Sequence, residues 1–316
     1  VIDNSLTLDL TVNPDFSQVE VDDQITNLTR FEISLPEKRQ FFIENSDLFS
    51  SFGDKGDSNP FFSRRIGIAK DINGNSIQNK IIAGLRLSGK INNDFRIGLI
   101  NMLTDEDLEN NIASNNNTVL ALQHKVFNRS NISLLFINKE SVKDYDFGSD
   151  YTPFNRVIGI DYNLASSDSK WEGKYYFHKS ITPNLENDDI SAGIRTNYNS
   201  RKINFKVGAL YIGDNFNSDL GYIKRKSIYK IDPRIGYRFW PENKKILNHQ
   251  FEVAPFITWM SNLNNQLSDY FIFSKWDIEF KSGLNFNISL RNQYTYLFDE
   301  FDPTGINNGR PLPANS

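Results

Sequence analysis

The side chains best equipped for chemistry in this sequence are charged, and the densest set of them lies early in the chain. Glu37, Lys38, Arg39, Glu44, Arg64 and Arg65 bring carboxylates and cations of both kinds into one stretch. Where water is scarce, charge-assisted hydrogen bonds between such groups strengthen, and a charge left unpaired becomes costly. These residue types have three uses: a solvated loop surface, an arginine site for acidic ligands, or a network that fixes a segment inside a partly wet interior. The interior network is the reading taken forward, with Glu37 and Glu44 expected to pair among Lys38, Arg39, Arg64 and Arg65.

Other reactive constellations are thin. His124, His178 and His249 lie far apart and show no metal-ligand spacing, so they read as ordinary strand or turn residues, and no Ser/His nucleophile pair stands out. Asp71-Ile72-Asn73-Gly74-Asn75 resembles the start of a calcium loop, but the twelfth position, which needs a bidentate acid, is Ile82. A plain Asn-Gly turn fits better. The glycosylation-like triplets at Asn27 and Asn131 read as chance matches. With no cysteine in the chain, disulfides, thiolate metal sites and cysteine nucleophiles are excluded together. No catalytic residue, metal or cofactor is expected, and the chain is not expected to be an enzyme. A net charge of -4 without a basic run argues against a nucleic-acid partner.

The elements that must position these charges announce themselves by alternation. From residue 284 to 298, Leu284, Phe286, Ile288, Leu290, Tyr294, Tyr296 and Phe298 share one parity, broken only by Asn292, while Asn285, Asn287, Ser289, Arg291, Gln293 and Thr295 take the other. A pleated strand sends these two sets to opposite faces. The run is far longer than the roughly 5 or 6 residues of an ordinary strand and exceeds the roughly 9 to 11 that a tilted strand needs to cross a bilayer. The 316 residues are 39% hydrophobic, mean hydropathy is -0.49, and no run of about 18 apolar residues occurs, which excludes a helical membrane protein. A transmembrane barrel stays open, because lumen-facing polar residues dilute its apolar ones. The 13% aromatic content suits interfacial girdles.

Strand-like runs follow at 80–91, 95–103, 118–128, 131–139, 155–165, 170–181, 189–199, 202–213, 225–239, 247–261, 269–281 and 283–298. Short turns near 92–94, 128–131, 166–169, 199–201, 241–243 and 281–283 alternate with polar connections at 104–117, 140–153, 182–188, 214–224 and 262–268. Short turns at one end and longer loops at the other describe an up-and-down outer-membrane barrel, with the loops outside the cell. The expected fold is therefore all-β, a transmembrane antiparallel up-and-down barrel with about 12 to 15 strands present. Charges keep to the wet face in 81–91, 158–164 and 272–280. Residues 131–139, apolar on both faces, and 202–213, which mix Lys206 with Leu210 and Ile212, are expected to touch an element filling the lumen. Leu6, Leu8, Leu10 and Val12 make an early strand. Residues 14–60, with Pro14, Pro36 and dense charge but no strand rhythm, are expected to fold inward as a constriction, and 61–69 to be the next wall strand.

The runs Asn13–Asp22, Asn27–Glu32, Pro36–Glu44 and Ser63–Gly67, in that order, resemble a family of Gram-negative outer-membrane proteins of unassigned function. Its members carry a signal peptide, a carbohydrate-binding family 9-like domain and a large barrel. Gln40 and Asn45 depart from it, standing where the family has proline and glycine. The resemblance spans the whole chain and implies that residues 1–316 are the barrel portion of a longer protein, with the binding module before Val1 and further strands after Ser316. The run Pro311–Ser316 lacks the aromatic end of a closing strand. The implied setting is the outer membrane of a Gram-negative bacterium, with lipid and lipopolysaccharide as partners. The expected function is a porin-like pore or transporter-like protein, handling small solutes or glycans if the upstream module is informative. A non-transporting anchor for that module and a soluble surface β-sandwich or adhesin are the alternatives. No catalytic residues are known for the family, and none are carried over.

Overall fold

Alternating side chains become one large antiparallel sheet. The computed structural model describes residues 5–14, 31–32, 36–148, 151–242, 244–298, 300–302 and 311–314. Strand β1 (Leu6–Val12) is followed by two single-turn helices, α1 (Gln40–Ile43) and α2 (Asp47–Ser50), and by the short strands β2 (Ser58–Asn59), β3 (Ile68–Lys70) and β4 (Ser76–Gln78). Then come β5 (Ile81–Lys90), β6 (Phe95–Thr104), β7 (Asn115–Val126), β8 (Ser130–Ser141), β9 (Phe154–Ala165), β10 (Trp171–Ile181), β11 (Ile190–Asn199) and β12 (Ile203–Ile212). A two-residue β13 (Tyr222–Ile223) precedes β14 (Ile228–Ile231), β15 (Arg234–Phe239), β16 (Ile246–Met260), β17 (Gln266–Phe280) and β18 (Asn285–Thr295).

Fourteen of these strands form the large sheet, in the order β1, β5 to β12, β14, β16, β17, β18, with β15 filling the space beside β14 between β12 and β16. Sequence neighbours pair as hairpins, which the short turns make inexpensive. Because β14 and β15 share one place, the strands occupy an odd number of positions, and antiparallel pairing leaves the edges β1 and β18 running in the same direction. The run expected as a single strand at 225–239 is split: Pro233 separates β14 from β15 and has no N–H to give to a ladder. The connection expected at 262–268 is shorter than that, since β17 begins at Gln266.

Residues 61–69 do not continue the wall, contrary to expectation. Ser63–Arg65 make a 3₁₀ turn, and β3 pairs with β4 in a separate two-stranded hairpin. Gly67 turns the chain at φ +85°, and the carbonyls of Ser63 and Ile66 are taken by Arg39 rather than by a neighbouring strand.

The sheet has one uncovered face and one covered face. On the first, Leu134, Ile160 and Phe177 stand side by side across β8, β9 and β10, and Tyr237, Phe251, Trp276 and Ile288 across β15 to β18. These seven side chains are 40 to 51% exposed, so the most apolar surface of the protein is left bare. Whereas β18 is exposed on both sides, from β5 to β14 the opposite face is covered by residues 36–66. There Phe42, Leu48, Phe49 and Phe52 pack with Ile100, Met102, Val119, Ala121, Leu135 and Ile137 into the core. Each such side chain removed from water contributes about 1.5 to 3 kcal/mol. This explains why 131–139 is apolar on both faces: Leu134 and Phe136 belong to the bare face, Leu135 and Ile137 to the core.

Candidate functional site

The segment 36–66 crosses the covered face, and its attachment changes character along the way. Over β6 and β7 it is dry. Gly98 makes the space for Phe49, since a Cβ there would stand 2.6 Å from the Phe49 ring. Toward β1 and β5 it is pinned by Arg86, a side chain only 2% exposed, which reaches Asp9 at 2.6 Å and Glu44 at 3.1 Å and donates to the Glu44 carbonyl at 2.8 Å. Arg96 holds Asp47 at 2.7 Å.

Over β9 to β14 the attachment is polar. The buried Asp161 carboxylate accepts the Gly53 N–H at 2.9 Å, lies 3.0 Å from Lys174 Nζ, and has His178 Nε2 at 2.6 Å from its second oxygen. Gly53 sits at φ +62°, and any Cβ there would collide with the Ser58 carbonyl at 2.3 Å, so only glycine suits this bend. Arg195 meets Asp54 at 2.6 Å, Lys230 meets Asp57, and Lys206 meets Asp232. Buried charges of this kind persist because each has a partner.

The charges singled out in the sequence fall into several groups. Arg39 and Glu37 form a bidentate pair at 2.9 and 2.8 Å, Ser63 Oγ donates to Glu37 at 2.6 Å, and Arg39 also donates to the Ser63 and Ile66 carbonyls. Burial pushes the Glu37 carboxyl upward, but the hydrogen bonds and charge of Arg39, with Ser63, hold it below the ordinary glutamate value. Lys38 donates its backbone N–H to the same carboxylate at 3.0 Å. Arg65 bridges Glu32 and the Gly221 carbonyl, whereas Arg64 donates to the Pro36 carbonyl. Glu44 does not pair among these cations as expected. Its helical turn carries it toward the sheet, where Arg86 takes it. Asn45, where the resemblance would have glycine, adopts φ +50°, a backbone region that asparagine tolerates, and donates to Ser88 at 3.2 Å. Residues 15–30 and 33–35 of the expected 14–60 segment, which include Asn27 and all but the first two residues of the Asn13–Asp22 run, lie outside the described residues.

At the end of the sheet bearing the longer connections lies an open cavity of about 1000 Å³, lined in part by Asn115, Asn117, Lys139, Tyr151, Asp219 and Lys226. Lys139 pairs with Asp219 at 2.9 Å. Burial raises the Asp219 carboxyl, but Lys139, Asn217 and Lys226 together keep it below the usual value. Burial also pushes the Lys226 amine down, with Asp214 and Asp219 opposing it. Asp71 spends its carboxylate on its own turn, accepting from the N–H groups of Asn73 and Asn75. Among the described residues no cluster of three or more His, Asp or Glu could hold a metal.

Sequence reasoning missed Arg86, Asp161, Lys174, Arg195, Lys230 and Asp232. Each is an isolated charge, on the wet side of an alternating strand or, for Asp232, in the break between β14 and β15, and in one dimension it looks like any solvated residue. The available signal was that such charges recur on one parity of successive strands. A family model described as a domain of unknown function, DUF5916, matches residues 1–312. No curated protein and no solved structure matches the chain.

Proposed function

We propose that this chain, which belongs to the DUF5916 family, forms wall and constriction of a Gram-negative outer-membrane β-barrel with a pore or transporter-like role. The observation that carries this reading is the bare apolar face running from β8 to β18 while, from β5 to β14, buried charges and the 36–66 segment occupy the other. A sheet in water gains by covering such a face, whereas a barrel wall presents it to lipid and turns its polar residues inward. On this reading 36–66 lies in the lumen, and the 1000 Å³ cavity is the vestibule at the extracellular mouth. Glycan-derived solutes enter the proposal only through the resemblance to proteins with an upstream carbohydrate-binding module.

The dry packing of Phe49 and Phe52 against the sheet favours a second reading, a plugged barrel that anchors a surface module without transport. Conductance of the full protein in planar bilayers separates the two. A transporter-like pore passes a small current that grows when residues 40–62 are replaced by a short flexible linker. A silent full-length protein with a conducting linker variant supports the anchor, and silence of both sinks the barrel pore.

A further inference from the structure

The inserted segment closes against the sheet in two ways, and only one of them can carry an ion. Over β6 to β8 the contact is hydrocarbon against hydrocarbon, and an ion entering it would lose its hydration without compensation. From the cavity end of β8 across to β16 a file of charged pairs runs down from the long-connection end of the strands. It starts at Lys139 and Asp219 in the large cavity, continues through Lys230 and Asp57, and reaches Arg195 between Asp54 at 2.6 Å and Asp232 at 4.0 Å. Arg234 and Glu252, 3.6 Å apart, continue it toward the short-turn end. Between the segment and the sheet along this file lies a cavity of about 20 Å³, lined by Asp54, Lys174, Arg195, Lys230 and Asp232 among others. That is room for about one water.

Resting on the barrel reading above, we infer that small ions cross the protein along this charged seam, and that Lys174, Arg195 and Lys230, set against Asp54 and Asp232, determine which ions pass. The paired groups replace the hydration that an ion sheds on entering a constriction. With Asp161 on Lys174, Asp57 on Lys230 and Lys206 on Asp232 counted, four cations face four carboxylates at the narrowest point, so the seam is neutral as built and loss of one cation biases it toward potassium. The bound pairs also make the seam labile to charge substitution, since removing one member frees its partner to face the path.

The test is the reversal potential of the full-length protein in a planar bilayer under a potassium chloride gradient. The wild type is expected to reverse near zero. Arg195→Gln and Lys230→Gln should each shift the reversal toward potassium, while Lys230→Arg, which keeps the charge, should retain the wild-type value. Val119→Thr, on the dry side, should leave it unmoved. Conducting Arg195→Gln and Lys230→Gln proteins with unshifted reversal would overturn the seam, because ions then take another route. A silent wild type beside a conducting linker variant also overturns it while leaving the barrel standing. Silence of both removes the barrel reading and the seam together.

Discussion

Arg86 shows how much of this fold passes through single side chains. One guanidinium joins β1 through Asp9, β5 through its own backbone, and the inserted segment through Glu44. Glu37 ties the two ends of the segment to each other through Arg39 and Ser63, and its chemistry makes that tie sensitive to acid. Its folded carboxyl is held below the ordinary value of 4.5, so its contribution is complete above that value and is lost as the pH falls through the folded value. Lowering the pH below about 4.5 should therefore loosen residues 36–66, seen as faster cleavage of this segment by an acid-tolerant protease. Glu37→Gln should be loose already at neutral pH and lack this acid step. Identical profiles for the two proteins would remove Glu37 from the tie that closes the segment.

Among the elements, β18 isolates the question of what the bare face meets. Its partner β17 contributes Trp276 opposite Ile288 on the bare face and Lys275 opposite Ser289 on the other. β16 and β17 span 15 residues each, well beyond the roughly 5 or 6 of strands in soluble sheets. If lipid covers the bare face, Ile288→Arg costs about 2 to 4 kcal/mol near the bilayer midplane and Ser289→Arg almost nothing. The yield of heat-modifiable, protease-resistant protein in outer-membrane fractions should then fall for the first variant and hold for the second. Equal yields would return the soluble sandwich to consideration.

For the molecule as a whole, the connections at the two ends of the sheet define an orientation. The inserted segment leaves β1 at the end with the longer connections, where Asn13 donates to the Ile82 carbonyl, and the large cavity opens among those same loops. Two of these loops are tied together where Glu106 accepts from Tyr145 and Lys143. An epitope tag in the 104–117 or 140–153 connection should be labelled on intact cells, because exposed loops accept insertions and the longer loops of such barrels face outward. Labelling only after the outer membrane is permeabilised would invert this orientation. Closure has its own geometric condition. Since β1 and β18 run in the same direction, joining them by antiparallel pairs alone takes an odd number of strands between them.

Strand positions and faces were legible from the chain because a period of two is local: Leu284 to Phe298 and Ile158 to Leu164 declare their faces without reference to any neighbour. The pairing order was legible too, since short turns such as the one at 92–94 leave a strand little choice but the next one. That residues 36–60 stand outside the large sheet was legible in their missing strand rhythm. The partners of their charges were not. Glu44 with Arg86, Gly53 with Asp161 and Asp54 with Arg195 are 42, 108 and 141 residues apart, and nothing in the local sequence distinguishes a wet-face charge that meets water from one that meets another segment. That distinction arises only when the sheet brings distant strands under one covering segment, where desolvation makes each unpaired charge costly and so selects which pairs form.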